Sequence, residues 1–156
     1  MRLERTAITV LIAAGLAAAY GWWSQPADDG VRTIDSTHQA PELVERLTEV
    51  ITEHAFETNV GACGKCGVET IAVSDANAQV VTVSGGKLMM QLLKAGASVG
   101  VDPPLRFYVT ALPSGGSRLT YHEPSRALAV YGVDAVEELG QQLDPVFAEI
   151  ARQAAG

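Results

Sequence analysis

The chain reads as an α+β domain in which an antiparallel sheet is backed by helices, preceded by one apolar N-terminal segment. Three observations predict this. Residues 41–54 place Leu43, Val44, Leu47, Val50 and Ile51 on one stripe, with Glu42, Glu45, Arg46, Glu49 and Glu53 mostly away from it, the pattern of an amphipathic helix. Leu105, Phe107, Val109 and Ala111 alternate with Arg106, Tyr108 and Thr110, which is the period-two signature of a half-buried strand. Near the C-terminus, Val136, Leu139, Leu143, Val146, Phe147 and Ile150 return to helical spacing.

The remaining elements fall between these. Residues 31–34 are short and β-branched, a first strand. Pro41 suits the first turn of the helix it opens, since the missing N–H there has no intrahelical partner to lose. Strands are expected at 56–60 and 68–73, flanking a turn in which Gly61, Gly64 and Gly67 disfavour regular helix. A third buried strand at 78–83 precedes Ser84-Gly85-Gly86, and a helix carrying Leu88, Met89, Leu92 and Leu93 then runs to Gly96. Gly100, Asp102, Pro103 and Pro104 make 98–104 a loop. Pro113-Ser114-Gly115-Gly116-Ser117 turns the chain so that 118–122 pairs as the second arm of a hairpin. Pro124 opens a short helix closing at Gly132. Asp134 and Glu137 have capping-box spacing, and Pro145 is expected to kink or restart the last helix, with Asp144 capping its second part.

The 156 residues, 47% of them hydrophobic, suffice for one domain and an anchor: 1–23 as signal anchor or signal peptide, 24–30 as linker, and 31–156 as the domain. Arg2 and Arg5 precede 18 uncharged, largely apolar residues, 6–23, whose outer end carries Tyr20, Trp22 and Trp23. A basic flank inside and aromatics at the far interface give an inner-membrane anchor with the domain facing the periplasm or exterior. Ala17-Ala18-Ala19 also meets a small-residue cleavage rule, so an exported soluble protein is the competing reading; the compartment is the same. A net charge of −7 and the absence of a Lys/Arg cluster disfavour nucleic acid as a partner.

Cys63-Gly64-Lys65-Cys66-Gly67 holds the chain's only two cysteines. Three chemistries fit. Oxidising compartments let nearby thiols pair, and a disulfide over so short a loop removes little chain entropy, giving a stapling role of modest stabilisation. The same spacing is that of one zinc knuckle, which supplies two of four tetrahedral ligands; a second copy of the pair, or two of His38, His54 and His122, would complete a site for zinc. Lys65 between the sulfurs favours a thiolate, so Cys63 as attacking and Cys66 as resolving thiol describes thiol–disulfide exchange. The glycine and β-branched residues after Cys66 differ from the helix start of a thioredoxin, and no histidine follows for haem attachment. Met89, Met90 and His122 together suggest copper, although Met89 continues an apolar stripe and reads as core. His54 closes a helix, where a cation suits the dipole. His122 stands beside Glu123, a carboxylate able to tune it. No phosphate-binding glycine loop, Ser/His/Asp order or paired catalytic carboxylates stands out, so a binding module is favoured over an enzyme.

Leu88-Met89-Met90, then Val99-Gly100-Val101-Asp102-Pro103-Pro104-Leu105-Arg106-Phe107-Tyr108-Val109, then Leu119-Thr120-Tyr121-His122-Glu123-Pro124, resembles the family called domain of unknown function 302. Ser36-Thr37-His38 through Leu47 is similar to that family's first helix and its polar lead-in. The resemblance runs from about residue 31 to about residue 150. It implies a TATA-box-binding-protein-like topology and a homodimer, and no activity. Pro104, Tyr121 and Pro124, which match, then shape strand entry and exit. The chain departs from the family's pattern at 61–67, where its two cysteines stand.

Overall fold

A computed structural model describes residues 28–62, 78–96 and 105–156. The expected anchor or signal segment 1–23, most of the linker, Cys63 and Cys66, the 68–73 strand and the whole 98–104 loop lie outside the described residues.

The described chain runs β1 (Val31–Ser36), α1 (Ala40–Glu53), β2 (Glu57–Ala62), β3 (Ala78–Ser84), α2 (Gly86–Ala95), β4 (Arg106–Ala111), β5 (Ser117–His122), α3 (Pro124–Leu128), a 3-10 turn (Ala129–Tyr131) and α4 (Asp134–Ala155). The strands form one sheet in the order β1-β5-β4-β3-β2, every neighbouring pair antiparallel. The α+β expectation is met.

Alternation decides the two faces of the sheet. Val81, Val83, Phe107, Val109, Leu119 and Tyr121 point inward and are buried. Against them α1 sets Leu43, Val44, Leu47 and Ile51, and α4 sets Val136, Leu143, Phe147 and Ile150. The glutamates at 42, 45, 49 and 53 are exposed, as the helical spacing requires. At the centre, Phe107 stacks on Phe147 with ring centroids 5.0 Å apart and Tyr121 tilts against Phe107 at 5.2 Å.

One end of the sheet is fastened by polar groups. Ser36 and Ser117, paired across β1 and β5, are buried; Ser36 Oγ donates to the Ala155 carbonyl at 2.8 Å and Ser117 Oγ to the His38 carbonyl at 2.7 Å. Arg46 Nε donates to the Ala154 carbonyl at 2.9 Å, placing a cation on the negative end of α4 where the last carbonyls lack helical partners. Gly116, at φ +77, turns the β4–β5 hairpin where a Cβ would lie 2.3 Å from the Ser36 carbonyl oxygen, so only glycine fits.

Four local expectations are corrected. Asp134 is the first residue of α4 and Val133 its N-cap, with no side-chain cap bond, so the capping box does not form. Val133 is held extended after the left-handed Gly132 and packs toward Gly96. Pro145 neither ends nor restarts the helix: α4 is continuous through it, with Pro145 and Gln141 on the solvent side, where a freed carbonyl can be hydrated. Asp144 is spent elsewhere, its Oδ1 accepting the Ser125 N–H at 2.9 Å and so satisfying an orphan amide in the first turn of α3. In α2 only Leu88 and Leu92 are buried, whereas Leu93, expected on the same stripe, is 39% exposed.

The α4 surface gives a titration that checks its side-chain geometry. Hydrogen bonds from Arg152 and then Gln153 hold the Glu149 carboxyl at about 2, down from its ordinary 4.5. A lowered folded pKa means the pairing stabilises fully above 4.5 and is lost as pH falls through about 2. A carboxyl NMR titration is expected to show that low midpoint, and Arg152→Ala to return it toward 4.5; a wild-type midpoint at the ordinary value would show the pair unformed in solution.

Candidate functional site

The sheet face turned away from α1 and α4 carries exposed and half-buried side chains from several strands. By register, Thr33 of β1, Thr120 of β5, Tyr108 of β4 and Val80 of β3 form one row across it. Val31 and His122 lie toward one end, with Arg106, Thr82 and Asn59 continuing across β4, β3 and β2. Asp35, Arg118, Thr110 and Ala78 lie toward the other. Tyr108 is 36% exposed. A tyrosine ring among threonine hydroxyls offers an apolar platform with hydrogen-bonding edges.

One ion pair lies on this face. Arg118 Nε and Nη2 bond the two carboxylate oxygens of Asp35 at 2.6 and 2.9 Å across the β1–β5 pair. That guanidinium holds Asp35 below the usual carboxylate range, and Asp35 in turn raises Arg118. Where the described chain enters the sheet, Arg32 Nη2 bonds Asp28 Oδ2 at 2.7 Å and Arg32 Nε bonds Glu123 Oε1 at 2.9 Å, while the Glu123 N–H donates to the Gly30 carbonyl. These bonds, with that of the Gly30 N–H, hold Asp28 well below the carboxylate range. They lock residues 28–30 against the exit of β5.

Cys63 and Cys66 lie outside the described residues, but their approach is described. Ala62, the last residue of the edge strand β2, pairs with Gln79 of β3, so residues 63–77 join neighbouring strand ends on the side of the sheet where the 112–116 turn also lies. The three histidines are dispersed. His38 follows β1, which is four strand spacings or about 19 Å from β2, and its Nδ1 sits 2.7 Å from Glu42 Oε1. His122 is exposed at the opposite end of the β1–β5 pair, where it opposes Val31. His54 closes α1 as expected, its Nδ1 2.9 Å from the Val50 carbonyl. Met89 is half-buried and Met90 54% exposed. Among the described residues no group of three or more His, Cys, Asp and Glu is placed to hold a metal, and no helix is long and apolar enough to cross a membrane.

Comparison with solved structures now decides the architecture. The crystal structure of an uncharacterized conserved protein DUF302 from Bacillus stearothermophilus superposes with a TM-score of 0.68, covering 80% of this chain and 98% of that one. The fold is DUF302-like. At 16% identity the likeness is one of fold. No protein-family model and no curated protein matches the chain. The DUF302-like sheet presents Thr33, Thr120 and Tyr108 together, a grouping the sequence reading missed. Its only sequence signal was the polar half of the 105–111 alternation, because three strands distant in the chain meet in that row.

Proposed function

We propose that the chain is a membrane-anchored cell-envelope module of the DUF302 type that binds a ligand on its open sheet face, with Cys63 and Cys66 at the edge of that face as a metal-ligating or disulfide-forming pair. The observation that carries this reading is the division of the sheet: α1 and α4 bury one face, while the other is lined by Thr33, Tyr108, Thr120 and His122. The strand order and the placement of α1 and α4 support a TATA-box-binding-protein-like topology. The uncharged 6–23 segment after Arg2 and Arg5 supports an inner-membrane anchor with the domain on the periplasmic or outer side. For a metal, a homodimer sharing two cysteine pairs is favoured over recruitment of this chain's own histidines, since those lie apart. Zinc and copper are the metals that such sulfur ligands suit.

A second reading, thiol–disulfide exchange by Cys63 and Cys66, is favoured by one observation: Lys65 stands between the two sulfurs, where its charge favours the attacking thiolate. In a third, the pair staples a loop in an assembly factor.

Native mass spectrometry of the full chain, purified in mild detergent without chelator or reductant, separates these. A metal-bearing dimer is the result expected of a shared site. A metal-free chain lighter by the two hydrogens of a disulfide removes the metal reading, and an oxidising reduction potential then marks exchange over stapling. Serine at both cysteines is expected to leave the melting temperature nearly unchanged, because the core stripes lie elsewhere; collapse of the fold would show a structural metal.

A further inference from the structure

The helix α2 closes one end of the domain. It leaves directly from the end of β3, and its C-terminal Gly96 packs against Val133 and Val136 at the start of α4. This is the end at which the described chain enters, because Val31 opposes His122 at the finish of β5, next to the start of β4, and β4 runs antiparallel to β3. Leu88 and Leu92 bury one side of α2. On the turned-out side Met90 and Leu93 are exposed, with Met89 half-buried beside them, and Lys87 and Lys94 flank them two turns apart. A shallow depression lined by Gly86, Lys87, Met90, Gln91 and Lys94 lies between the two ammonium groups. In a chain of net charge −7, α2 alone among the three described helices longer than two turns carries no acidic residue. Glu138 of α4 lies with Lys94 on the Gln91 side, away from Leu93.

We propose that this outer face of α2 lies on the anionic surface of a lipid bilayer, Met90 and Leu93 entering the headgroup boundary while Lys87 and Lys94 meet lipid phosphates. The inference rests on the anchored reading above for its geometry. A linker of seven residues, 24–30, spans at most about 25 Å, so the end of the domain bearing α2 is held near the bilayer that carries segment 6–23. Exposed apolar side chains bordered by lysines are the composition of a helix that rests in a membrane interface. The contact would fix the orientation of the domain and turn its opposite end, toward which Ala62 leads, away from the membrane.

The test uses the full chain with Trp22→Phe and Trp23→Phe, so that Met90→Trp is the sole tryptophan, reconstituted in vesicles with acyl-brominated lipids. In phosphatidylglycerol vesicles, Trp emission at 90 is expected to be blue-shifted and quenched, with less quenching in phosphatidylcholine. Lys87→Gln with Lys94→Gln is expected to weaken the contact about fivefold per lysine. Carbonate extraction reports the anchor separately. A carbonate-resistant chain whose emission is unquenched overturns the α2 contact and leaves the anchor standing. A carbonate-extractable chain still quenched by phosphatidylglycerol vesicles upholds the contact and overturns the anchor. Blue-shifted emission that bromine does not quench and that depends on protein concentration assigns the face to a second copy, overturning the proposal.

Discussion

Phe147→Ala is expected to cost about 3–5 kcal/mol, the range for removing a buried aromatic and leaving its cavity. The ring is fully buried, stacks on Phe107 at an interplanar angle of 14°, and lies 6.4 Å from Tyr121. It therefore joins α4 to the neighbouring strands β4 and β5 at once, and neither side can collapse into the space without losing its own contacts. Domains of this size are stable by about 5–15 kcal/mol, so a large part of the margin would go. Urea denaturation is the direct measure; a loss below about 1 kcal/mol would show that the helix repacks freely and that the stacked trio is not central. A second readout is independent of stability. The Tyr121 phenol is held above its ordinary 10 first by burial and then by the Glu123 charge, with Arg32 opposing. Water admitted by Phe147→Ala should bring that titration down.

Elements built on local periodicity were legible in the sequence. Leu43, Val44, Leu47 and Ile51 are all buried, as their spacing required, and Phe107 and Val109 face the core while Arg106 and Tyr108 face out. What could not be read depends on partners far along the chain. Asp144 looked like a cap for its own helix because Pro145 follows it, yet its oxygen serves Ser125, nineteen residues back. Leu93 fits the apolar stripe of α2, but that helix packs through a narrow contact that Leu88 and Leu92 fill. The candidate site divides in the same way. The cysteine pair stands out as a candidate by residue type and spacing, with its chemistry left open among three, whereas the Thr33, Thr120 and Tyr108 row exists only once β1, β5 and β4 are placed side by side.

Gly140 gives the sharpest disagreement between propensity and packing. A glycine in a helix interior is worth about 1 kcal/mol less than alanine, so Gly140→Ala judged from sequence should stabilise α4. In the structure a Cβ at that position would lie 2.6 Å from the Ser125 Cα, 2.9 Å from its nitrogen and 3.0 Å from the Pro124 carbonyl oxygen. These are backbone atoms, and α3 cannot swing aside without losing the Ser125 N–H bond to Asp144 and the burial of Leu128. The expected net result is therefore destabilisation by about 1–3 kcal/mol, with faster hydrogen exchange at the Ser125 amide. Gly86→Ala is the matched control, because nothing lies within 4 Å of a Cβ there; it should be neutral or mildly stabilising. If Gly140→Ala instead melts at a higher temperature than the parent, α3 and α4 are not in backbone contact in solution, and the bond from the Ser125 N–H to Asp144 falls with it.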